Sequence, residues 1–173
     1  MTKKRISNTA LIALSFLCII VTGAVLLTLP IASRAGTWTP FLDALFTATS
    51  ATCVTGLIVV DTCVHWSLFG QLVIITMIQI GGLGLMTLMA SLALLMKQRI
   101  GLKGRQLVLQ SSGNLQYGDL TKVLKHILVG TVIVETVGAV LLAVRFCPQM
   151  GFVRGVYNAV FHAVSAFCNA GFD

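Results

Sequence analysis

The chain has 173 residues, of which 57% are hydrophobic and 10% are charged, whereas soluble domains carry about 25% charged residues. That composition excludes an intrinsically disordered chain and argues against a soluble globular domain. The 12 basic and five acidic residues do not predict nucleic-acid binding, because the basic side chains cluster at the ends of apolar segments without interleaved aromatic residues. We therefore expect an all-α integral membrane protein with several spans.

The first predicted element is an uncharged apolar segment at residues 9–29. As a helix it would extend about 31 Å, which is enough to cross the hydrocarbon core of a bilayer. Because Lys3, Lys4 and Arg5 precede it, a signal peptide is an alternative. The apolar run is longer than a typical signal core and shows no convincing cleavage site, so we expect a retained first span.

The apolar segment that follows the first outer loop does not predict a simple span. Thr39 and Pro40 form a suitable cap and first-turn proline, and Asp43 lies near the expected helix start. A helix over residues 41–52 would extend about 18 Å, half a membrane. The β-branched, glycine-containing sequence at 53–56 should then be extended. A half-length helix followed by extended backbone predicts a re-entrant loop, which is tolerated at membrane depth only when protein or a wet cavity surrounds it.

Residues 68–96 and 123–144 are the second and third predicted spans, and the third contains one acidic residue, Glu135. A basic, glycine-containing connector at 97–122 separates them. Nine lysine and arginine residues lie on the side of the N-terminus and the connector, counting Lys125 at the start of the third span, against three on the other side. The positive-inside rule therefore places the N-terminus and the connector in the cytoplasm. There the basic run at 97–105 is expected to contact anionic lipids or a regulatory partner, and the alternative is that it contacts only water.

An internal repeat relates two parts of the chain. Residues 41–57 align with residues 156–172 without gaps, at an offset of 115, and seven of the 17 aligned positions are identical, where composition alone would give about one or two. The identical pairs are Ala44/Ala159, Phe46/Phe161, Ala48/Ala163, Ser50/Ser165, Ala51/Ala166, Cys53/Cys168 and Gly56/Gly171. The repeat predicts a span–loop–span unit at 1–96, the connector at 97–122 and an incomplete second unit at 123–173, so we expect one and a half repeats of a longer protein.

Such a unit has the parts needed to bind a dehydrated cation. A half-helix directed into the membrane places its negative C-terminal end toward the centre, and the extended residues after it can present carbonyl oxygens to an ion. Gly56 and Gly171 would permit backbone angles that side chains disfavour and would let neighbouring loops approach one axis. Rings of carbonyl groups, rather than a cage of carboxylates, favour a large monovalent ion that loses its water easily.

The two loops resemble the first and second filter loops of the Ktr/Trk/HKT potassium transporters. The segments that carry this resemblance are Thr49-Ser-Ala-Thr-Cys-Val-Thr-Gly-Leu-Ile-Val-Val-Asp-Thr62 and Ser165-Ala-Phe-Cys-Asn-Ala-Gly-Phe172. The short N-terminus is similar to that of bacterial Ktr membrane subunits. The resemblance implies four span–loop–span repeats around one potassium path in a bacterial cell membrane, a homodimer, and a cytosolic nucleotide-binding regulatory ring. It implies K⁺ as the transported ion, with Na⁺ as a candidate co-activator and no nucleotide site on this chain.

The resemblance also implies a set of site residues. By position, the first filter strand consists of Thr52, Cys53, Val54, Thr55 and Gly56, and the second consists of Phe167, Cys168, Asn169, Ala170 and Gly171. Glycine at position 56 matches the potassium-selective pattern, because family members with serine there tend toward sodium. Asp61 follows the first filter and is expected at the outer mouth.

Several polar residues have two interpretations. Asp61 could concentrate cations at the outer mouth or fix the loop by hydrogen bonds. Glu135 could form a structural hydrogen bond within the helix bundle or act near the ion path, since an acid within a span is expensive. His162 aligns with a threonine in the first repeat, which favours packing. Cys63 and His65 are too few for a zinc site.

Two further expectations concern function. The sequence Gly81-Gly-Leu-Gly84 lies within an apolar span, so it predicts close helix packing rather than a nucleotide site. We find no nucleophile, base and orienting residue in a catalytic pattern, and no enzyme is expected. The predicted function is potassium transport through a filter of backbone carbonyls, and the alternative is a truncated, non-conducting portion of such a transporter.

Overall fold

The computed structural model describes residues 8–97 and 117–172. Its helices are α1 (Asn8–Thr28), a 3₁₀ turn (Pro30–Ala32), α2 (Phe41–Cys53), α3 (Thr62–His65), α4 (Leu68–Lys97), α5 (Tyr117–Met150) and α6 (Phe152–Phe167). In these residues the only β-type pairing is an isolated bridge between Ser33 and Trp66. The expected all-α class is therefore confirmed. The N-terminal basic tail and residues 98–116 of the connector lie outside the described residues.

The three predicted spans correspond to helices α1, α4 and α5. Within the described residues, Lys125–Met150 of α5 is long and apolar enough to cross a membrane, and the shorter apolar helical stretches are Ala13–Thr28 and Leu68–Gly84. Many apolar side chains of α5, such as Val132 and Leu141, are exposed. A helix with this surface needs lipid or another apolar partner around it.

Helix α5 is longer than predicted at both ends. The apolar pattern predicts a span at residues 123–144, but the helix begins at Tyr117 and continues through Pro148 to Met150. It ends where Gly151 adopts φ +84° and donates its N–H to the carbonyl of Cys147 at 3.1 Å. Proline in the last turn removes one hydrogen bond without preventing the turn, and the glycine supplies the backbone angle that terminates it.

Small residues let helix α2 pack closely inside the first repeat. Ala44, Ala48 and Ala51 lie on one face of α2 and are fully buried, in a cluster with Leu27 of α1 and Ile78 of α4. Spacings of three and four residues place such side chains on one stripe of a helix. Alanine in that stripe brings the backbones of the three helices together.

The start of α2 differs from the prediction in its cap. Pro40, rather than Thr39, is the N-cap, and its carbonyl accepts the N–H groups of Asp43 and Ala44 at 3.1 Å each. The hydroxyl of Thr39 instead lies 3.1 Å from Nε2 of His65. Because the side chain of Thr39 contacts His65, it does not cap the helix. Asp43 lies in the first turn as expected, where a negative charge is favourable.

The loop between α2 and α4 is fixed by hydrogen bonds around a buried tryptophan. Trp66 is fully buried, and its carbonyl accepts Nε2 of Gln71 at 3.2 Å. The phenol of Tyr157 in α6 donates to Oε1 of Gln71 at 2.9 Å, so this amide joins α4 to α6. In the part of the chain that the structure describes, no three potential metal-binding side chains lie together, and Nε2 of His65 lies 3.1 Å from the hydroxyl of Thr39.

The glycine segment of α4 packs against three different elements. A Cβ atom on Gly81 would overlap the carbonyl oxygen of Thr52 at the end of α2, and one on Gly82 would lie 2.6 Å from Sγ of Cys168. A Cβ on Gly84 would lie 3.2 Å from the ring of Phe16 in α1. The segment is therefore used for close packing, as predicted.

We predict that Gly81→Ala lowers the free energy of unfolding by about 1–3 kcal/mol, the usual cost of overpacking, because the new methyl group would meet backbone that cannot rotate away. Gly130→Ala in α5 is the matched control, since a Cβ there has no heavy atom within 4 Å. Thermal unfolding of the detergent-solubilised protein measures both. Equal losses of stability in the two variants would contradict the packing explanation.

Candidate functional site

The first half of the candidate site is the C-terminal end of helix α2. Val54 adopts a left-handed conformation, φ 58° and ψ 39°, and Gly56 has φ +73°. The N–H of Val54 bonds to the carbonyl of Ala51 at 3.4 Å, and the N–H of Thr55 bonds to the carbonyl of Ser50 at 3.0 Å. This pair of bonds closes the helix as a Schellman motif. A β-branched residue in this conformation is a true outlier, which persists only when its surroundings enforce it.

The end of helix α6 has the same local backbone. Asn169 has φ 59° and Gly171 has φ +68°. The N–H of Asn169 bonds to the carbonyl of Ala166 at 3.0 Å, and that of Ala170 bonds to the carbonyl of Ser165 at 2.7 Å. Each of these groups lies 115 positions after its counterpart in the first loop.

The two helix ends are in direct contact. The space that a Cβ of Gly56 would occupy is taken by the carbonyl oxygen of Ala170, and the Cα of Gly171 would lie 3.7 Å away. Ala170 is fully buried, whereas Gly56 and Gly171 retain solvent exposure. The structure thus brings the two predicted filter segments together at a point where only glycine fits.

The extended backbone begins later than the sequence predicted. Thr52 lies within the predicted helix, which continues one residue further to Cys53, and Phe167 is the last residue of α6. Cys168 is also helical, with φ −74° and ψ −6°. These residues therefore do not form part of a strand; the Schellman bonds keep the chain helical until the left-handed residue reverses it. The hydroxyl of Thr52 donates to the carbonyl of Ala48 at 2.8 Å, so its side chain forms a hydrogen bond within its own helix.

Repeat-related serines form hydrogen bonds with the segment that follows each helix. Ser50 and Ser165 are 3% and 2% exposed. The hydroxyl of Ser165 donates to the carbonyl of Phe172 at 2.7 Å, and the hydroxyl of Thr55 donates to that of Ser50 at 3.0 Å. The repeat alignment shows the serine identity but does not by itself predict this role. The sequence feature that could have indicated this role is a polar side chain at the same position of both repeats, within an otherwise apolar helix.

The equivalent cysteines have different environments. Cys53 is exposed, whereas Cys168 is buried against Gly82. The thiol of Cys168 lies 3.9 Å from Oε1 of Gln79. Nε2 of that glutamine donates to Oε2 of Glu135 at 3.1 Å. Of the two interpretations of Glu135, the structure therefore shows the hydrogen bond within the helix bundle.

Two other predicted polar residues have structural contacts. Oδ1 of Asp61 accepts the N–H of Val64 at 2.9 Å and caps α3, which is the loop-fixing interpretation, although the carboxylate is exposed. The ring of His162 lies against Phe146 and Phe161, with centroid separations of 5.5 and 6.1 Å. His162 therefore packs against aromatic side chains, as expected.

Comparison with known proteins identifies similar transporters. Residues 4–173 match a family model described as TrkH, cation transport protein. The chain is 46% identical over 172 residues to the potassium/sodium uptake protein NtpJ of Enterococcus hirae, with 99% of this chain and 38% of that protein covered. It is 42% identical over 170 residues to Ktr system potassium uptake protein B of Bacillus subtilis, with 98% and 38% covered. For the protein of that name from Vibrio alginolyticus, the identity is 44% over 162 residues, with 94% and 35% covered. The chain therefore spans little more than a third of the length of these relatives.

We predict that Asn169→Val destabilises the protein by about 1–2 kcal/mol, because a left-handed conformation is costly for a β-branched residue and tolerated by asparagine. The side chain of Asn169 is exposed, so little packing is lost. Asn169→Gly at the same site should cause no loss. Thermal unfolding of the two variants tests the backbone explanation, which fails if glycine and valine behave alike.

Proposed function

We infer that this chain, which belongs to the TrkH family of cation transport proteins, supplies part of a potassium path in a Ktr-type uptake system. The observation that carries the proposal is the contact between Gly56 and the carbonyl of Ala170, made by two helix ends with matching backbone angles. The family is one of transport proteins, so no catalytic chemistry is assigned to the chain.

The proposed topology has three spans and two re-entrant loops. Helices α1, α4 and α5 would cross the bilayer, while α2, with 13 residues, is about 20 Å long and reaches only partway. The proposal divides the chain into a first repeat at 1–96, a cytoplasmic connector at 97–122 and an incomplete second repeat at 123–173. It places the N-terminus in the cytoplasm of a bacterial cell, in a multi-pass protein of the plasma membrane.

The proposed mechanism uses backbone oxygens. A potassium ion loses water at the outer mouth and is coordinated by carbonyl groups of residues 52–56 and 167–171. The negative ends of α2 and α6 lower the energy of a cation there. Neutral carbonyls bind a monovalent ion weakly enough for it to leave again. The hydroxyl of Ser165 holds the carbonyl of Phe172, which limits rotation of that peptide group, and the hydroxyl of Ser50 holds the side chain of Thr55.

The proposed partners follow from the family. Two relatives are named as parts of a Ktr system, and we propose a homodimer whose cytosolic face binds a nucleotide-binding regulatory ring. The basic run at 97–105 would contact anionic lipids on that face. Na⁺ is proposed as a co-activator, and four repeats, two of whose filter segments lie on this chain, would surround the ion.

We predict that Gly56→Ser in the full-length protein reduces the K⁺/Na⁺ uptake ratio. The added Cβ would displace the carbonyl oxygen of Ala170, one of the proposed ion ligands. Gly36→Ser is the matched control: Gly36 has φ +68° and open space around it, so it carries the same conformational cost without the collision. Uptake of both ions in a potassium-starved host, normalised to membrane-inserted protein, measures the ratio. An unchanged ratio for Gly56→Ser would count against the filter.

We predict that Asp61→Asn raises the KM for potassium at low ionic strength without destabilising the protein. Asparagine caps a helix about as well as aspartate, so the bond to Val64 is retained while the charge is removed. High salt should abolish the difference, since it screens exposed charges. A KM that is unaffected at low ionic strength would limit Asp61 to its capping role.

A further inference from the structure

We propose that Glu135 is a positioning residue for the second filter segment and acts on Cys168 through Gln79. This inference rests on the proposed function, because it concerns the selectivity of that segment. It joins three elements of the fold: Glu135 lies in α5, Gln79 in α4, and Cys168 directly after α6.

The geometry is a chain of two polar contacts. Nε2 of Gln79 lies 3.1 Å from Oε2 of Glu135, and Oε1 of Gln79 lies 3.9 Å from Sγ of Cys168. An amide has its donor and its acceptor on opposite arms, and a carboxylate has acceptors only. Glu135 therefore selects the amide orientation that offers oxygen to the thiol. Without the carboxylate, the amide can turn over and the thiol loses its acceptor.

The position of Cys168 bears directly on the filter. Its Sγ fills the slot left by the missing side chain of Gly82, so the residue has little space to move. The next residue, Asn169, is held in the left-handed conformation, and Ala170 then presents its carbonyl oxygen to Gly56. A shift of the cysteine would therefore move the contact between the two filter segments.

The repeat does not require this arrangement. Cys53, at the equivalent position of the first loop, is exposed, so a cysteine at this position is not fixed by the loop alone. The contacts of Cys168 with Gln79 and Gly82 belong to the second loop and to the helix that packs on it.

The surroundings of Glu135 also call for an explanation. Its second carboxylate oxygen, Oε1, is buried and has no hydrogen-bond partner within the described part of the chain. The residue lines a crevice of about 380 Å³ whose other walls are mostly apolar, including Val132, Val160 and Val164. A half-satisfied acid in such surroundings costs free energy. The proposed orientation of Gln79 gives this costly group a role.

The test measures the K⁺/Na⁺ flux ratio of full-length protein in liposomes. We expect Glu135→Leu and Gln79→Leu each to lower the ratio about fivefold, equivalent to one net hydrogen bond, and the double variant to be no worse than either single one. Glu135→Gln should keep the ratio, since its amide oxygen still accepts from Gln79. If Glu135→Leu does not reach the membrane, Gln79→Leu decides the same question.

The control is Thr136→Val, next to Glu135 and lining the same crevice. The Thr136 hydroxyl donates to the carbonyl of Val132 in its own helix at 2.6 Å, so its loss should leave the ratio unchanged. An equal fall in this control would mean a general disturbance of α5 and would overturn the inference. So would an unchanged ratio in both leucine variants, or a fall in Glu135→Gln equal to that in Glu135→Leu. Absence of potassium flux in the unaltered protein would instead overturn the proposed function.

Discussion

The whole arrangement depends on one contact between backbones, that of Gly56 with the carbonyl of Ala170. It requires two helices to stop at defined residues, because only then do the chain reversals face each other. The Schellman bonds at Ser50 and Ser165 stop them, and the alanine face of α2 and the glycines of α4 set the depth of the first helix end. Each of these features acts through the absence of a side chain or through a backbone hydrogen bond.

Much of this fold follows from the amino-acid sequence. The start of α2 at Phe41, its half-length, the repeat offset and the packing use of Gly81 are all visible as patterns of proline, glycine and small residues. The helix ends were harder to predict. Valine has a strong preference against left-handed angles, so nothing local predicts Val54 there, and the extended backbone begins only after it. Local patterns also gave no reason to extend α5 to Met150.

The amino-acid sequence alone does not predict contacts between residues that are far apart in the chain. Gln79 and Glu135 are 56 positions apart, and neither spacing nor composition pairs them. The two cysteines show the same limit: Cys53 and Cys168 are equivalent in the repeat, yet one is exposed and the other buried. A repeat predicts equal local backbone, but burial depends on which neighbouring helix packs against each copy.

Adjacent glycines in α4 have a consequence for how this protein can evolve. Gly81 faces the end of α2 and Gly82 faces Cys168. Two consecutive residues of one helix therefore contact both loops and limit how closely each loop approaches. Inserting or deleting a single residue earlier in α4 would rotate the rest of the helix by about 100°. Gly81 and Gly82 would then both turn away from the loops that they contact. Homologues that retain this architecture should therefore differ in length within their loops and hardly ever between Leu68 and Gly82.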